Sequence, residues 1–522
     1  MFKRTLSLIL CAVLALCCLA ASAAAEAPIE ITVAMNGTPT GWPASEDENF
    51  IQQQILEKTG VRFVMSPLDN YAQTLNLLVA NDDAPDMFIV NADTMRTYAA
   101  QDMLLDLTPY KETGLKCIFD KFGDSVDTPY LYYNDRMYMI PTNDYQDNAY
   151  YTMYFRQDWA DKLNLQAPTT VEGLFEFCSA IAAADLDQNG QKDTIGFTGY
   201  GLQALDAIAN AYDAGLGNYV IVRDNKVTSS LLQPGMKDAL TMIRKFFEAG
   251  LVDPDILGAK SEIKAHTLSG NFGVSVMKWS DISKAAYLTQ AHEINPDLVY
   301  GWCGPMASEI EGAESVYGIL DYNRNTRDKY VINANVSEEK LEAIFKVLQY
   351  LCTDEGSMMV YVGLEGDHWQ RNADNSITMT ERGKTETLYA YKYQILGREE
   401  AAYLALKFPE AADVVAYCLN TPRYIIYNKS VEIPADFYLS DLENYVNMQL
   451  IAFVKGERPV AEYDQFIDEL YKTYDFQRYL DICAEPAPPI SHSAGHIHIS
   501  GFFPAPSGRY FAALRIDARA YS

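Results

Sequence analysis

Basic residues are in short supply: 41 Lys and Arg stand against 70 Asp and Glu, for a formal net charge of -29. So acidic a chain repels polyphosphate backbones, which excludes nucleic acid as a partner. Apolar runs long enough to span a bilayer are missing after the first 25 residues. Cysteine is present without pattern. Cys117, Cys178, Cys303, Cys352, Cys418 and Cys483 are widely spaced and form no Cys-x-x-Cys pair, so the spacing signals neither a zinc site nor a disulfide scaffold. Hydrolase, zincin and phosphate-loop motifs are also absent. Gly123-Asp-Ser125 lacks the Asp-x-x-His block an esterase would carry near its end, and Glu365, Asp367 and His368 are explained as well by solvation as by glycoside hydrolysis. The expectation is a protein that is not an enzyme.

What is present begins with an export signal. Lys3 and Arg4, an apolar run over residues 6–21 and Ala23-Ala24-Ala25 have the layout of a secretory signal peptide, residues 1–25. An exported, extracellular or cell-envelope-associated protein is expected. Leu16 and Cys17 are poor residues to precede a lipidated cysteine, so a lipid anchor on Cys17 or Cys18 stays open. The remaining length exceeds what one core serves, and two domains are expected.

The most informative stretch is Asp185-Leu-Asp-Gln-Asn-Gly-Gln-Lys-Asp193. Asp185, Asp187, Asn189 and Asp193 occupy positions 1, 3, 5 and 9 of a calcium-type loop, Gln191 offers its backbone carbonyl at position 7, and Gly190 stands at position 6, where the chain must turn sharply. Gly196 replaces the bidentate Glu of position 12. A structural Ca²⁺ of weak affinity, about 10⁻⁴–10⁻³ M, is therefore expected, against the alternative of a solvated Asx-rich turn.

Along the chain, residues 29–35 alternate like a strand, 49–58 are helical before Gly60, 61–65 are extended, 71–80 are helical and 86–90 form a short apolar strand. That order predicts a parallel sheet flanked by helices. Asn134-Asp135 and Asp224-Asn225 read as hairpin turns. A second α/β unit begins near Tyr150, with a capping box at Thr169-Thr-Val-Glu172, a strand over 195–198 and a helix over 236–247. After residue 484, proline and histidine (His492, His496, His498) lead into an Arg-containing end, read as a disordered or appended tail.

Ala84-Pro-Asp-Met87, Leu104-Leu-Asp-Leu-Thr-Pro-Tyr110, Met137-Tyr-Met-Ile-Pro141, Arg156-Gln-Asp-Trp159 with Pro168-Thr-Thr170, the loop from Asp185, Glu248-Ala-Gly-Leu-Val-Asp-Pro254 and Gly363-Leu-Glu-Gly366 follow one another in this order. Together they resemble the exported solute-binding proteins of bacterial ABC importers, in particular the carbohydrate-binding group (family 1) of lipoprotein-type oligosaccharide binders related to alginate-binding proteins. The resemblance implies an α/β, two-lobed, periplasmic-binding-protein-like fold of type II with hinge-connected lobes and a ligand cleft between them. It implies lobe 1 over 26–148 and 298–375, lobe 2 over 149–297 and 376–484, and a tail over 485–522. It also implies a carbohydrate ligand, ABC permease subunits as membrane partners, a monomer, and a calcium loop that supports the fold without catalysing anything. A sensor or adhesion protein on the same fold remains the alternative, because fold does not set function.

Ligand contacts are expected from residues at strand ends, where open α/β sheets bind. Trp42 follows the first strand, Trp279 follows the strand over 273–277, and Tyr200 follows the strand over 195–198. Trp369 and Arg156 complete the ligand set, Arg156 being equally explained by a structural ion pair. Trp159, beside an Asp158 read as a helix N-cap, is expected in the core.

Overall fold

The computed structural model describes residues 27–484 apart from 145–146, 187–189, 192, 224–225, 259, 311–312, 314–315, 322–326, 374–375, 429–432 and 435. Residues 1–25, read as a signal peptide, and 485–522, read as a tail, lie outside the described residues. Two compact units divide the chain, 1–143 with 327–396 and 144–326 with 397–522. The chain thus passes from one to the other three times.

These boundaries correct the sequence expectation in three places, the first being that the chain leaves the first unit after residue 143 and not after 148. Residues 298–326 belong to the second unit, because Tyr300–Cys303 is a strand hydrogen-bonded antiparallel to Tyr151–Arg156. Residues 376–396 belong to the first, where Ile377–Met379 pairs with Trp369–Arg371 and the Gln394 amide donates to the Val360 carbonyl at 3.0 Å.

In the first unit Ile29–Asn36 and Val61–Leu68 run parallel through eight pairs, from Ile29↔Val61 to Asn36↔Leu68. Met87–Val90 lies parallel on the other side of Ile29–Asn36, and Lys329–Ile332 closes that edge antiparallel. Helix Phe50–Thr59 starts where the Asn49 side chain accepts the Gln52 N–H and stops at Gly60, whose φ of 71° ends it without a Cβ penalty. Asp86 accepts the N–H and O–H of Thr32, at 2.8 and 3.0 Å, and the Lys340 ammonium at 2.8 Å, joining strand Ile29–Asn36 to helix Glu338–Cys352. Helix Lys116–Phe122 lies against that same helix, and a Cβ on nearby Gly114 would overlap the Phe345 ring.

The second unit holds a mixed four-stranded sheet ordered Tyr300–Cys303, Tyr151–Arg156, Phe272–Lys278, Ile195–Gly199. Met153, Phe155, Phe197, Val274, Val276 and Cys303 bury one face of it in a core shared with helices Val171–Ala183, Met236–Glu248 and Leu439–Lys455. Helix Val171–Ala183 is capped one residue later than expected: the Thr170 hydroxyl, not that of Thr169, accepts the Gly173 N–H at 3.0 Å. Asp158 is not an N-cap either, since Arg156 holds both its oxygens and the helix begins at Gln157. Trp159 is core, 2% exposed, with the Arg156 guanidinium 3.9 Å over its ring. Among the described residues no helix is long and apolar enough to cross a membrane.

Candidate ligand-binding surfaces and calcium loop

In the first unit Trp42 sits in the loop that leaves the carboxyl end of strand Ile29–Asn36. Tyr393 stacks on it with a 6° interplanar angle at 6.1 Å, and Tyr389 meets it edge-on at 5.5 Å. Both tyrosines are themselves held. The Tyr393 hydroxyl accepts from Asn49 Nδ2 at 2.8 Å and Gln52 Nε2 at 3.0 Å, while the Tyr389 hydroxyl donates to Asn49 Oδ1 at 3.2 Å. The helix cap that starts Phe50–Thr59 therefore also fixes the aromatic bracket under Trp42. Of the five residues expected to meet ligand, Trp42 alone is not buried. Leu388, against Gly41, and Tyr391 are exposed beside it in sequence or space, and the Lys392 ammonium lies 5.6 Å over the Tyr391 ring while donating to the Asn36 carbonyl at 2.6 Å.

Trp369 is a correction. Its indole N–H donates to the Gly363 carbonyl at 2.9 Å and its side chain is buried, so it closes the turn that precedes it and presents no ring to solvent. His368 is buried too, accepting the Leu364 N–H at 2.9 Å, with a pKa lowered chiefly by burial. Glu365 pairs with Arg371 at 3.3 Å.

In the second unit the parallel strands Ile195–Gly199 and Phe272–Lys278 end at the same edge of the sheet, placing Tyr200 and Trp279 there together. The Tyr200 hydroxyl lies 3.5 Å from Asp281, which the Lys264 ammonium approaches to 3.1 Å. Trp279 is 3% exposed and packs edge-on against Phe408 at 5.2 Å. Cations lie over this cluster of rings: Lys284 is 5.6 Å over Trp279 and 5.0 Å over Phe408, and Arg398, paired with Glu400, is 3.9 Å over Tyr403, whose ring is 6.4 Å from that of Phe408. Burial, aided by Arg398 and Lys284, brings the Lys407 ammonium down to about 8.

Arg156 does not join them. Strand Tyr151–Arg156 runs antiparallel, with Tyr151 opposite Lys278, so Arg156 emerges at the other end of the sheet. There it is 2% exposed, grips Asp158 with two hydrogen bonds of 2.8 and 2.7 Å, and donates to the Gly270 carbonyl. It is a structural ion pair, as its alternative reading had it. Sequence reasoning missed Trp302, half-buried opposite Tyr154 and 6.2 Å from the Tyr417 ring. The short apolar, aromatic run over residues 298–303 was the signal that could have found it.

Two acidic arrangements remain. Gly190 has φ 77°, and the Asp185 carboxylate turns back to accept its N–H at 3.0 Å, as the first and sixth positions of a calcium loop require. The Asp193 carbonyl accepts from Asn271 Nδ2 at 3.2 Å, anchoring the end of the loop to the residue just before strand Phe272–Lys278. Asp187 and Asn189 lie outside the described residues. Asp253, Asp255 and His266 also come within reach of one another. Asp253 is fully buried, accepting from the Thr198 hydroxyl at 2.5 Å and the Asp255 N–H at 2.9 Å, with His266 Nδ1 at 2.9 Å. Its carboxylate is thereby satisfied within the protein.

A different buried carboxyl titrates near neutrality. Asp206, on helix Gly201–Ala209, accepts the Leu216 N–H at 2.7 Å and the Tyr219 O–H at 2.8 Å, and burial pushes it up to about 7.

The family model of the bacterial extracellular solute-binding protein matches residues 37–358. Lipoprotein LipO of Bacillus subtilis (strain 168) is 20% identical over 456 residues, covering 82% of this chain and 87% of LipO. FusA of Streptococcus pneumoniae, a fructooligosaccharide ABC transporter substrate-binding protein, is 23% identical over 356 residues, 63% of this chain and 62% of FusA. Its structure in complex with kestose aligns at TM-score 0.65 and 19% identity over 88% of this chain and 98% of FusA. A second FusA structure, an EF-hand mutant with fructo-nystose, aligns at TM-score 0.64 with the same identity of 19% and coverage of 88% and 98%. Alginate-binding protein AlgQ2, in a structure without calcium ion, aligns at TM-score 0.65 and 14% identity over 88% of this chain and 98% of AlgQ2. The fold is thus the two-lobed α/β type II fold of these proteins.

Proposed function

The chain belongs to the bacterial extracellular solute-binding proteins, and from that premise we propose that it captures an oligosaccharide outside the membrane and delivers it to the permease of an ABC importer. The observation that carries this reading is the Trp42 bracket. An indole locked by two hydrogen-bonded tyrosines, beside exposed Tyr391, offers a rigid apolar face to a sugar ring at low entropic cost. The sugar-binding relatives FusA and AlgQ2 share the fold and support the substrate class. The protein works as a monomer and performs no chemistry on its ligand. Calorimetric titration of the purified protein with neutral and uronic-acid oligosaccharides tests this. Saturable binding of one class is expected; release of reducing sugar, or no binding across both classes, would sink it.

The loop starting at Asp185 is proposed to hold a structural Ca²⁺ through Asp185, Asp187, Asn189, the Gln191 carbonyl and Asp193. The left-handed turn at Gly190 and the inward Asp185 support the assignment, as does the existence of an EF-hand in the related FusA. Bound there, the ion would neutralise the converging carboxylates and tie helix Val171–Ala183 to strand Ile195–Gly199.

A further inference from the structure

Helix Lys116–Phe122 and helix Glu338–Cys352 belong to sequence segments that meet only in the folded first unit. Three contacts hold them in register. Tyr110 lies 5.2 Å from Phe345, Gly114 gives way to the same ring, and the Lys121 ammonium donates to the Cys352 carbonyl at 2.7 Å and to the Ser357 hydroxyl at 2.5 Å. This register brings Cys352 Sγ to 3.0 Å from Cys117 Sγ, across 235 residues of chain. A covalent S–S bond of about 2.05 Å is then only about 1 Å of approach away.

We propose that Cys117 and Cys352 form a disulfide in the exported protein. The other four cysteines, Cys178, Cys303, Cys418 and Cys483, are buried, whereas this pair is partly accessible to an oxidant. Burial also holds the Cys303 and Cys418 thiols up at about 12, while the hydrogen bond from Cys352 favours the Cys117 thiolate. The oxidant is an extracytoplasmic disulfide, on a protein or a small thiol compound. Cys117 loses its proton and attacks one sulfur of that disulfide, releasing one thiolate and leaving a mixed disulfide. Cys352, deprotonated in turn, attacks Cys117 Sγ and releases the second thiolate. Two protein thiols and one external disulfide become one protein disulfide and two external thiols, with two electrons passed to the oxidant. The bond would join the two separate segments of the first unit and enclose all of residues 144–326 in its loop.

The test uses the full mature chain, incubated with oxidised glutathione, denatured and alkylated without reductant. Peptide mass spectrometry is expected to show a cross-linked pair containing Cys117 and Cys352, the remaining four cysteines alkylated, and all six alkylated after reduction. Reductant should lower the Tm of the oxidised wild type by several degrees and leave Cys117→Ser and Cys352→Ser unmoved. Alkylation of all six cysteines without reduction, a cross-link between any other pair, or an equal reductant shift in Cys117→Ser overturns the proposal.

Discussion

Single side chains separate binding from packing. Trp42 is braced from one side and partly exposed, so Trp42→Ala should weaken oligosaccharide binding by about 1–4 kcal/mol, the range for a lost aromatic anchor, as read by calorimetry. Trp279 is enclosed at 3% exposure, and Trp279→Ala should cost about 3–5 kcal/mol of ligand-free stability in urea denaturation. A Trp42 variant that binds like wild type, or a Trp279 variant that melts like wild type, would contradict these placements. Asp206 makes a prediction about pH. Its folded-state pKa of about 7 lies above the ordinary carboxyl value, so between those two values the native state holds a proton that the unfolded chain has lost. Stability from this group is therefore fully present at low pH and declines as pH rises toward 7, where Asp206 ionises in its buried site. Asp206→Asn should flatten that decline in denaturation curves taken from pH 4.5 to 8, and an unchanged slope would exclude Asp206 as its source.

At the scale of elements, the loop from Asp185 should act as a fastener. Chelation is expected to lower Tm by a few degrees, equivalent to about 1–2 kcal/mol at millimolar Ca²⁺, and Asp185→Ala should abolish the response while leaving ligand preference intact. Melting curves indifferent to both chelator and added Ca²⁺ would leave the loop a metal-free turn. Elements whose signals are local were legible in the chain. The strand from Ile29, the helix before the stop at Gly60 and the hairpin at Asn134-Asp135, both with positive φ, follow from neighbouring residues. What depends on a distant partner was not. The Tyr300–Cys303 strand was assigned to the wrong lobe because its hydrogen-bonding partner lies about half a domain upstream, and Trp302 was overlooked with it. Tyr200 and Trp279 each follow a strand in the sequence, but that those strands run side by side, and that Phe408 covers the indole, depends on pairing and packing from distant residues. Asp158 looked like an N-cap until Arg156, from the preceding strand, claimed both its oxygens.

For the whole molecule, the order in which the chain completes each sheet is uneven. Strands Tyr151–Arg156, Ile195–Gly199, Phe272–Lys278 and Tyr300–Cys303 follow one another without interruption by the other unit, so the second sheet has all its strands once residue 303 is available. The first sheet has three strands by residue 90 and then waits for Lys329–Ile332. Until that segment arrives, Met87–Val90 has a free row of backbone donors and acceptors, the geometry that invites pairing with another chain. A fragment ending at residue 143 should accordingly self-associate in light scattering, and adding a peptide of residues 327–335 should suppress it. During export, when the chain emerges progressively, the same unpaired edge would be the place where a chaperone has most to protect.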